Sequence, residues 1–292
     1  MKLKSLTFFG ITSLILLLNS CAVLQWREND DEINERFSNY KIPTNIDYFE
    51  IDSLNLKIRT QHITQSSNNL NIIFFHGSPS SLSAWNGYLK DSLLIKKANL
   101  HAIDRPGYGY SNFGKELPEI EPQAEAMNQL IDYYQLKNVI TIGSSYGGPL
   151  AARVAAINNN VKGVIMISPA IDPDQEKDVW GAHLTQWWLT RWLVPRGYRV
   201  AGDEKTIHAA EMKKITNEWN RVQIPIIHIH GNADDLVPYT NVNYSSEKFS
   251  SIQIVTIPNK GHEIAWKHPE LILLYIYQMI DGLQHNAVPK HP

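Results

Sequence analysis

An α/β architecture, with a mostly parallel central sheet flanked by helices and an inserted helical cap, is what this 292-residue sequence predicts. Three observations carry that expectation. Apolar runs of strand length recur along the chain, patterns of helical period separate them, and the alternation halts after residue 170 and resumes only at residue 224. Alternating βα units imply parallel strands with helices on both faces. An interruption of this length with helical patterning of its own is an insertion rather than a plain loop.

The elements follow in order. "DYFEIDSLNLKIRTQHI", residues 47–63, alternates like two antiparallel strands around a turn at Asp52 and Ser53, and it would form the leading edge of the sheet. Six further strands are expected: "NIIFF" (71–75), "NLHAI" (99–103), "NVITI" (138–142), "GVIMI" (163–167), "IPIIHI" (224–229) and "IQIVTI" (252–257). Their nearly unbroken apolar character suits strands covered on both faces. Helical patterns lie between them in "SLSAWNGYLKDSLL", "PQAEAMNQLIDYYQ", "GGPLAARVAAI" and, at the C-terminus, "PELILLYIYQMIDGL". The insertion carries two more, "WGAHLTQWWLTRWL" and "DEKTIHAAEMKKITNEW". The expected division is therefore a core over residues 46–170 and 221–285 with a cap over 171–220.

The N-terminus reads differently. Lys2 and Lys4 precede an apolar run from Leu6 to Leu18, which has the length of an export signal and falls short of the roughly 20 residues of a spanning helix. The segment "LNSC" resembles the lipobox of bacterial lipoproteins, which implies cleavage after residue 20 and lipidation of Cys21. Cys21 is the sole cysteine, so no internal disulfide is open to it. With Ala22 following, the resemblance implies an outer-membrane lipoprotein facing the periplasm. Residues 21–45, charged and polar in "WRENDDEINERFSNYKIP", would be a tether, and a short amphipathic helix packed on the body is the alternative. Loss of residues 1–20 removes two lysines and no acid, so the formal charge moves from −2 to −4, and no basic patch speaks for nucleic acid.

One stretch bears on chemistry. In "VITIGSSYGGPLAARVAA" the G-x-S-x-G pattern fits a single register, Gly143-Ser144-Ser145-Tyr146-Gly147, and makes Ser145 the candidate nucleophile. The glycines are needed because a sharp turn from strand to helix strains the nucleophile and leaves no space for side chains two residues away. A serine hydroxyl requires a base and usually an acid to orient that base. Among eleven histidines, His262 stands in a loop between the last strand and the last helix, where it can hang over the strand ends. His76 would order its own loop, while His228 and His230 share one strand face as core residues rather than metal ligands. Asp234 and Asp235 both follow a strand directly and are candidates for the acid.

In this order, "HGSPSS" (76–81), "DRPGYGYS" (104–111), "GSSYGG" (143–148), "HGNADDLVP" (230–238) and "GHEIAWKHPE" (261–270) resemble the motifs of the α/β-hydrolase fold family, in its cap-containing serine hydrolase form. The resemblance spans residues 71–282. It implies Ser145 as nucleophile, Asp234 as acid, His262 as base, and an oxyanion hole from the backbone N–H groups of Ser78 and Tyr146. It implies no cofactor and no metal. Arg105 would make a buried ion pair. The expected reaction is cleavage of a carboxylic ester or related acyl bond in a small, apolar substrate. A carbon–carbon hydrolase, a cofactor-free haloperoxidase and a non-catalytic binding lipoprotein of the same fold are the alternatives. Serine at the nucleophile position argues against epoxide and haloalkane chemistry, which uses aspartate there.

Five of the eight tryptophans, Trp180, Trp187, Trp188, Trp192 and Trp219, fall in the cap. Leu184, Trp188 and Trp192 recur at i, i+4 and would share one helix face. The first expectation is that this face packs the cap onto the body. The alternatives are a substrate pocket lined by Trp188 and Trp192, or an interfacial surface with Arg191 and Arg196.

Overall fold

The computed structural model describes residues 26–65 and 67–287. The expectations at Cys21 and in the apolar segment before it lie outside the described residues. Among the described residues no helix is long and apolar enough to cross a membrane.

Where a tether was expected, the chain forms a helix, α1 (Asp30–Asn39). Asn29 Oδ1 accepts from the Glu32 backbone N–H at 2.9 Å, and the Glu32 carboxylate accepts from the Asn29 N–H at 2.7 Å, a reciprocal cap. Ile33 and Phe37, one turn apart, are wholly buried in the core that also holds Trp85 and Tyr88. Burying two such side chains stabilises by about 3–6 kcal/mol at most, which outweighs the polar composition around them.

Eight strands form one sheet in the order β1-β2-β4-β3-β5-β6-β7-β8. They are β1 (Asn45–Ile51), β2 (Leu56–Ile63), β3 (Asn71–Phe75), β4 (Asn99–Ile103), β5 (Val139–Ser144), β6 (Val161–Ile167), β7 (Ile226–Gly231) and β8 (Ile252–Ile257). β1 and β2 pair antiparallel, β2 runs antiparallel to β4, and all other pairs are parallel. The chain enters the parallel region at β3, steps one way to β4, then crosses back to β5. The strand order therefore reverses between β3 and β5, and a crevice for ligands opens outside the carboxyl ends of strands at such a point.

Helices cover both faces. "SLSAWNGYLKDSLL" does not form one helix, because polar side chains cap it from within. A 3₁₀ turn at Leu82–Trp85 leads to α2 (Asn86–Leu89), and α3 (Ser92–Lys97) starts afresh where Asp91 accepts from the Leu94 N–H at 2.7 Å. α4 (Ile120–Tyr133) and α5 (Gly147–Ile157) follow. Between β6 and β7 stand α6 (Trp180–Gln186), α7 (Trp188–Arg191) and α8 (Arg196–Ile215), the helical cap. α9 (Asn241–Lys248), α10 (Ile264–Lys267) and α11 (Pro269–Ala287) complete the body.

The cap corrects the single-face expectation for its tryptophans. Trp187 is extended, with φ −92° and ψ 122°, so α6 and α7 are separate helices and Leu184, Trp188 and Trp192 share no common face. Of the five tryptophans only Trp219 packs against the body, wholly buried with its ring 5.6 Å from that of Phe249; the other four do not pack the cap onto it. Trp180 and Trp188 are 75% and 76% exposed, and Trp187 and Trp192 are more than half exposed.

A buried imidazole pair joins β2 to β4. His62 and His101 face each other in register, with their Nδ1 atoms 2.8 Å apart. His101 Nε2 donates to Asn71 Oδ1 at 3.1 Å, which leaves His101 Nδ1 to accept from His62. Burial holds both pKa values well below the ordinary imidazole range, the neighbouring imidazole adding to the effect at His101. The unfolded chain binds protons that the folded chain refuses, so stability falls as pH drops below about 6.5. Each imidazole kept neutral is expected to cost about 2 kcal/mol at pH 5 relative to pH 7.5. Urea midpoints across that range check this, and His62→Phe should flatten the profile.

Candidate active site

The geometry at Ser145 follows from crowding. β5 ends in Ser144, and Ser145 turns with φ 54° before α5 begins. Such a conformation costs a non-glycine residue on the order of 1–3 kcal/mol. It is over-determined here: the Ser145 N–H donates to the Ile167 carbonyl at 2.9 Å, and the Ser145 carbonyl accepts from Gly148 at 3.0 Å and Ala170 at 3.3 Å. A Cβ at Gly143 would collide with the Gly147 carbonyl, and one at Gly147 with the Phe75 carbonyl, so both glycines are required by close approach. Ser144 is buried and its Oγ has no partner among the described residues, whereas Ser145 lines an open cavity.

Asp234 sits just past β7. Its Oδ1 accepts from the backbone N–H groups of Leu236 and Val237 at 3.0 and 2.9 Å, and its Oδ2 accepts from His262 Nδ1 at 2.8 Å. His230 Nε2 lies 3.3 Å from the same Oδ2. Burial alone would raise the carboxyl pKa, but the bonds from His230, His262 and Val237 outweigh it and hold the group well below the usual carboxylate range. Asp235 points outward into solvent. His262 follows β8, with the Trp266 ring edge-on at 6.3 Å. Neither Ser145 Oγ nor His262 Nε2 has a hydrogen-bond partner among the described residues; Ser145 lines the cavity, while His262 is buried and is not among its lining residues.

Behind Asp234 runs a chain of buried groups. Ser245 Oγ stands 2.9 Å from His228 Nδ1, His228 Nε2 stands 2.9 Å from His230 Nδ1, and His230 Nε2 donates to the Val237 carbonyl at 3.1 Å. His228 and His230 are thus core residues on one strand face, and His230 also supports the acid. Among the described residues no group of three His, Cys, Asp or Glu is placed to hold a metal ion.

The loop after β3 brings Ser78 beside this site. The backbone N–H groups of Ser78 and Tyr146 meet no acceptor among the described residues, and Tyr146 stands at the N-terminal end of α5, where the helix dipole favours negative charge. Arg105 fixes the loop: its Nε donates to the His76 carbonyl at 2.8 Å and its Nη2 to the Gly77 carbonyl at 3.1 Å. Because the peptide after Gly77 is planar and trans, the Ser78 N–H points away from Arg105. His76 completes the turn, its Nδ1 donating to the Gly77 carbonyl and its Nε2 accepting from the Arg105 N–H. Burial and the nearby guanidinium keep His76 neutral, its pKa well below the ordinary range.

One cap residue reaches this loop. Glu204 of α8 is fully buried and pairs with Arg105, with Oε1 at 2.6 Å from Nη1. Its Oε2 accepts from Ser78 Oγ at 2.6 Å and Tyr108 OH at 2.7 Å, and its Oε1 from Gln123 Nε2 at 3.1 Å. The expected buried pair of Arg105 is therefore present, and its partner comes from the cap. Sequence reasoning missed Glu204, Tyr108 and Gln123, since Glu204 reads as one more surface charge in "GDEKTIHAAEMKK". His208, whose sequence setting offers nothing comparable to that of His262, is buried with Nε2 donating to the Ala170 carbonyl at 2.7 Å and its ring 5.0 Å from that of Tyr146.

Between cap and body lies a cavity of about 900 Å³, with Ser78, Ser145 and Tyr146 at its floor and Leu184, Leu193 and Tyr198 among its walls. Trp188 and Trp192 are not among its lining residues, which corrects their expected place in a substrate pocket. The break at Trp187 turns them outward and leaves the smaller Leu184 and Leu193 facing in.

The pattern of a family described as the α/β hydrolase fold matches residues 71–196. The AB hydrolase superfamily protein YisY of Bacillus subtilis is 22% identical over 245 residues, covering 71% of this chain and 90% of that protein. The pimeloyl–acyl-carrier-protein methyl ester esterase of Wigglesworthia glossinidia brevipalpis is 23% identical over 256 residues, covering 73% and 95%. A crystal structure described as a membrane phospholipase A, a bacterial virulence factor, superposes with a TM-score of 0.66 at 16% identity, over 97% of this chain and 99% of that one. The chain has the α/β-hydrolase fold, with its mostly parallel eight-stranded sheet. It is a hydrolase.

Proposed function

We propose that this hydrolase cleaves a carboxylic ester or related acyl bond of an apolar small molecule by way of an acyl-enzyme, held to a bacterial membrane through a lipidated Cys21. The observation that carries the reading is Ser145, held at φ 54° at the floor of a cavity with apolar walls. Ser145 Oγ attacks the acyl carbon while His262 Nε2 takes its proton, and the ionised Asp234 fixes the His262 tautomer and stabilises the imidazolium. The backbone N–H groups of Ser78 and Tyr146 receive the negative charge that develops on the carbonyl oxygen. His262 then returns the proton to the leaving alcohol, and water, activated by the same imidazole, releases the acid. No cofactor enters this scheme. The lipobox-like "LNSC" and the single cysteine support the anchor and an outer-membrane location facing the periplasm.

Fluorophosphonate labelling tests the chemistry. Wild type and Ser144→Ala are expected to label and Ser145→Ala to remain unlabelled. Labelling that persists in a folded Ser145→Ala chain would sink the assignment. An ester panel of increasing acyl length then measures what the cavity accepts.

A further inference from the structure

The cap presents a surface that the chemistry above does not use. Trp180, Trp187, Trp188 and Trp192 stand exposed around α6 and α7, and beside them Val179, Leu193 and Tyr198 are exposed while also lining the cavity. The apolar surface is therefore continuous with the rim of the mouth that leads to Ser145. Large contiguous apolar patches are rare on a surface that faces only water. Tryptophan in particular concentrates at the level of lipid headgroups, where an apolar ring with one N–H donor is satisfied on both sides.

Two further observations choose the occupant. Neither Arg196 nor Arg199 has a carboxylate within ion-pairing distance among the described residues, although Arg191 is paired with Asp203. Arg199 donates to the carbonyls of Val194 and Trp192, at the foot of the tryptophan cluster. Burial, with the like charges of Arg191 and Arg196 adding to it, depresses the Arg199 pKa. Guanidinium groups in this setting match the phosphates of headgroups.

The second observation is where the chain emerges. Arg27 stacks on Tyr110 and Phe113, at 4.0 and 4.2 Å, and the next residue, Gly114, packs against the Arg196 side chain. The N-terminal segment thus leaves the body on the cap side. Cys21 precedes Trp26 by only five residues, a reach of about 17 Å at most.

We propose that this end of the cap docks on the surface of a phospholipid bilayer containing anionic lipid, with the mouth of the cavity turned toward the membrane. Its orientation draws on the proposed anchor at Cys21, whereas the docking surface itself is independent of it.

The test reads tryptophan fluorescence of the full chain on vesicles of phosphatidylcholine and phosphatidylglycerol, with phosphatidylcholine brominated near the headgroup as quencher. Wild type is expected to be quenched. A variant carrying Trp180→Phe, Trp187→Phe, Trp188→Phe and Trp192→Phe should lose at least about half of the fractional quenching. In that background Tyr133→Trp, exposed at the end of α4 and stacked on Phe49 of β1, should not restore it. Undiminished quenching in the fourfold variant would overturn the proposal, as would restoration by Tyr133→Trp, since the chain would then lie on lipid in no fixed orientation. Conversion of a dimer to a monomer by the fourfold variant, with quenching unchanged, would make a second copy the occupant and equally end the membrane reading. Failure of the anchor is distinguishable: Cys21→Ser alters how much chain partitions onto vesicles, while the cap substitutions alter how it fluoresces there.

Discussion

Asp234→Asn is expected to lower turnover by about 10⁴-fold with little change in fold, the effect of trapping a base in the wrong tautomer. The argument is geometric. Oδ1 accepts from two backbone N–H groups, so an asparagine must keep its oxygen there and place its NH₂ where Oδ2 now stands. That NH₂ would face His262 Nδ1, which would have to accept a hydrogen bond where it now donates one. The proton would move to Nε2, and the imidazole could no longer take a proton from Ser145. Asp235→Asn, at the exposed neighbour, should leave turnover within about twofold, the usual range for a surface change. Steady-state ester hydrolysis and a melting curve for each variant decide the matter. A folded Asp234→Asn chain with near-parental turnover would refute the proposed triad.

Glu204→Ala is expected to destabilise the chain by about 3–5 kcal/mol, because it leaves the Arg105 guanidinium buried with no counter-charge. For a chain of this size that corresponds to a melting temperature lower by roughly 10 °C. Turnover should fall as well. Arg105 holds the carbonyls that aim the Ser78 N–H, and Ser78 Oγ itself loses its acceptor. Glu204→Gln retains an acceptor oxygen and the shape, so it should lie between the two in stability. A Glu204→Ala chain that melts within about 2 °C of wild type would show that Arg105 finds solvent or another partner, contrary to its complete burial.

What could be read from the sequence depended on whether the signal was local. The strands from β3 to β7 are legible because a strand buried on both faces has no alternation to obscure it, and β8, at the sheet edge with Gln253 and Thr256 exposed, is legible by its isoleucines and valine. Ser145 was legible because close backbone packing leaves its mark as glycines two residues to either side. α1 stood only as the alternative to a tether because Ile33 and Phe37 alone among ten residues carry its apolar face, and charge dominates the average. The tryptophan stripe was misjudged because i, i+4 spacing means a shared face only in an unbroken helix, and Trp187 breaks it. Glu204 was illegible for another reason: its partners lie between 81 and 126 positions away, and no window along the chain contains them.

That separation limits how far the molecule can be treated as interchangeable parts. The insertion leaves the body after β6 and returns before β7, so it invites replacement as a cassette for altering substrate preference. Yet the carboxylate that steadies the Ser78 loop travels with the insertion, while the groups it holds remain behind. A recombinant with a foreign cap would retain Ser145, His262 and Asp234 in sequence, but its Arg105, Tyr108 and Gln123 would be left without their shared acceptor. Diversification of this scaffold is open at wall positions such as Leu184 and Leu193 and closed at Glu204, so a transplanted cap must bring an equivalent acid at that place.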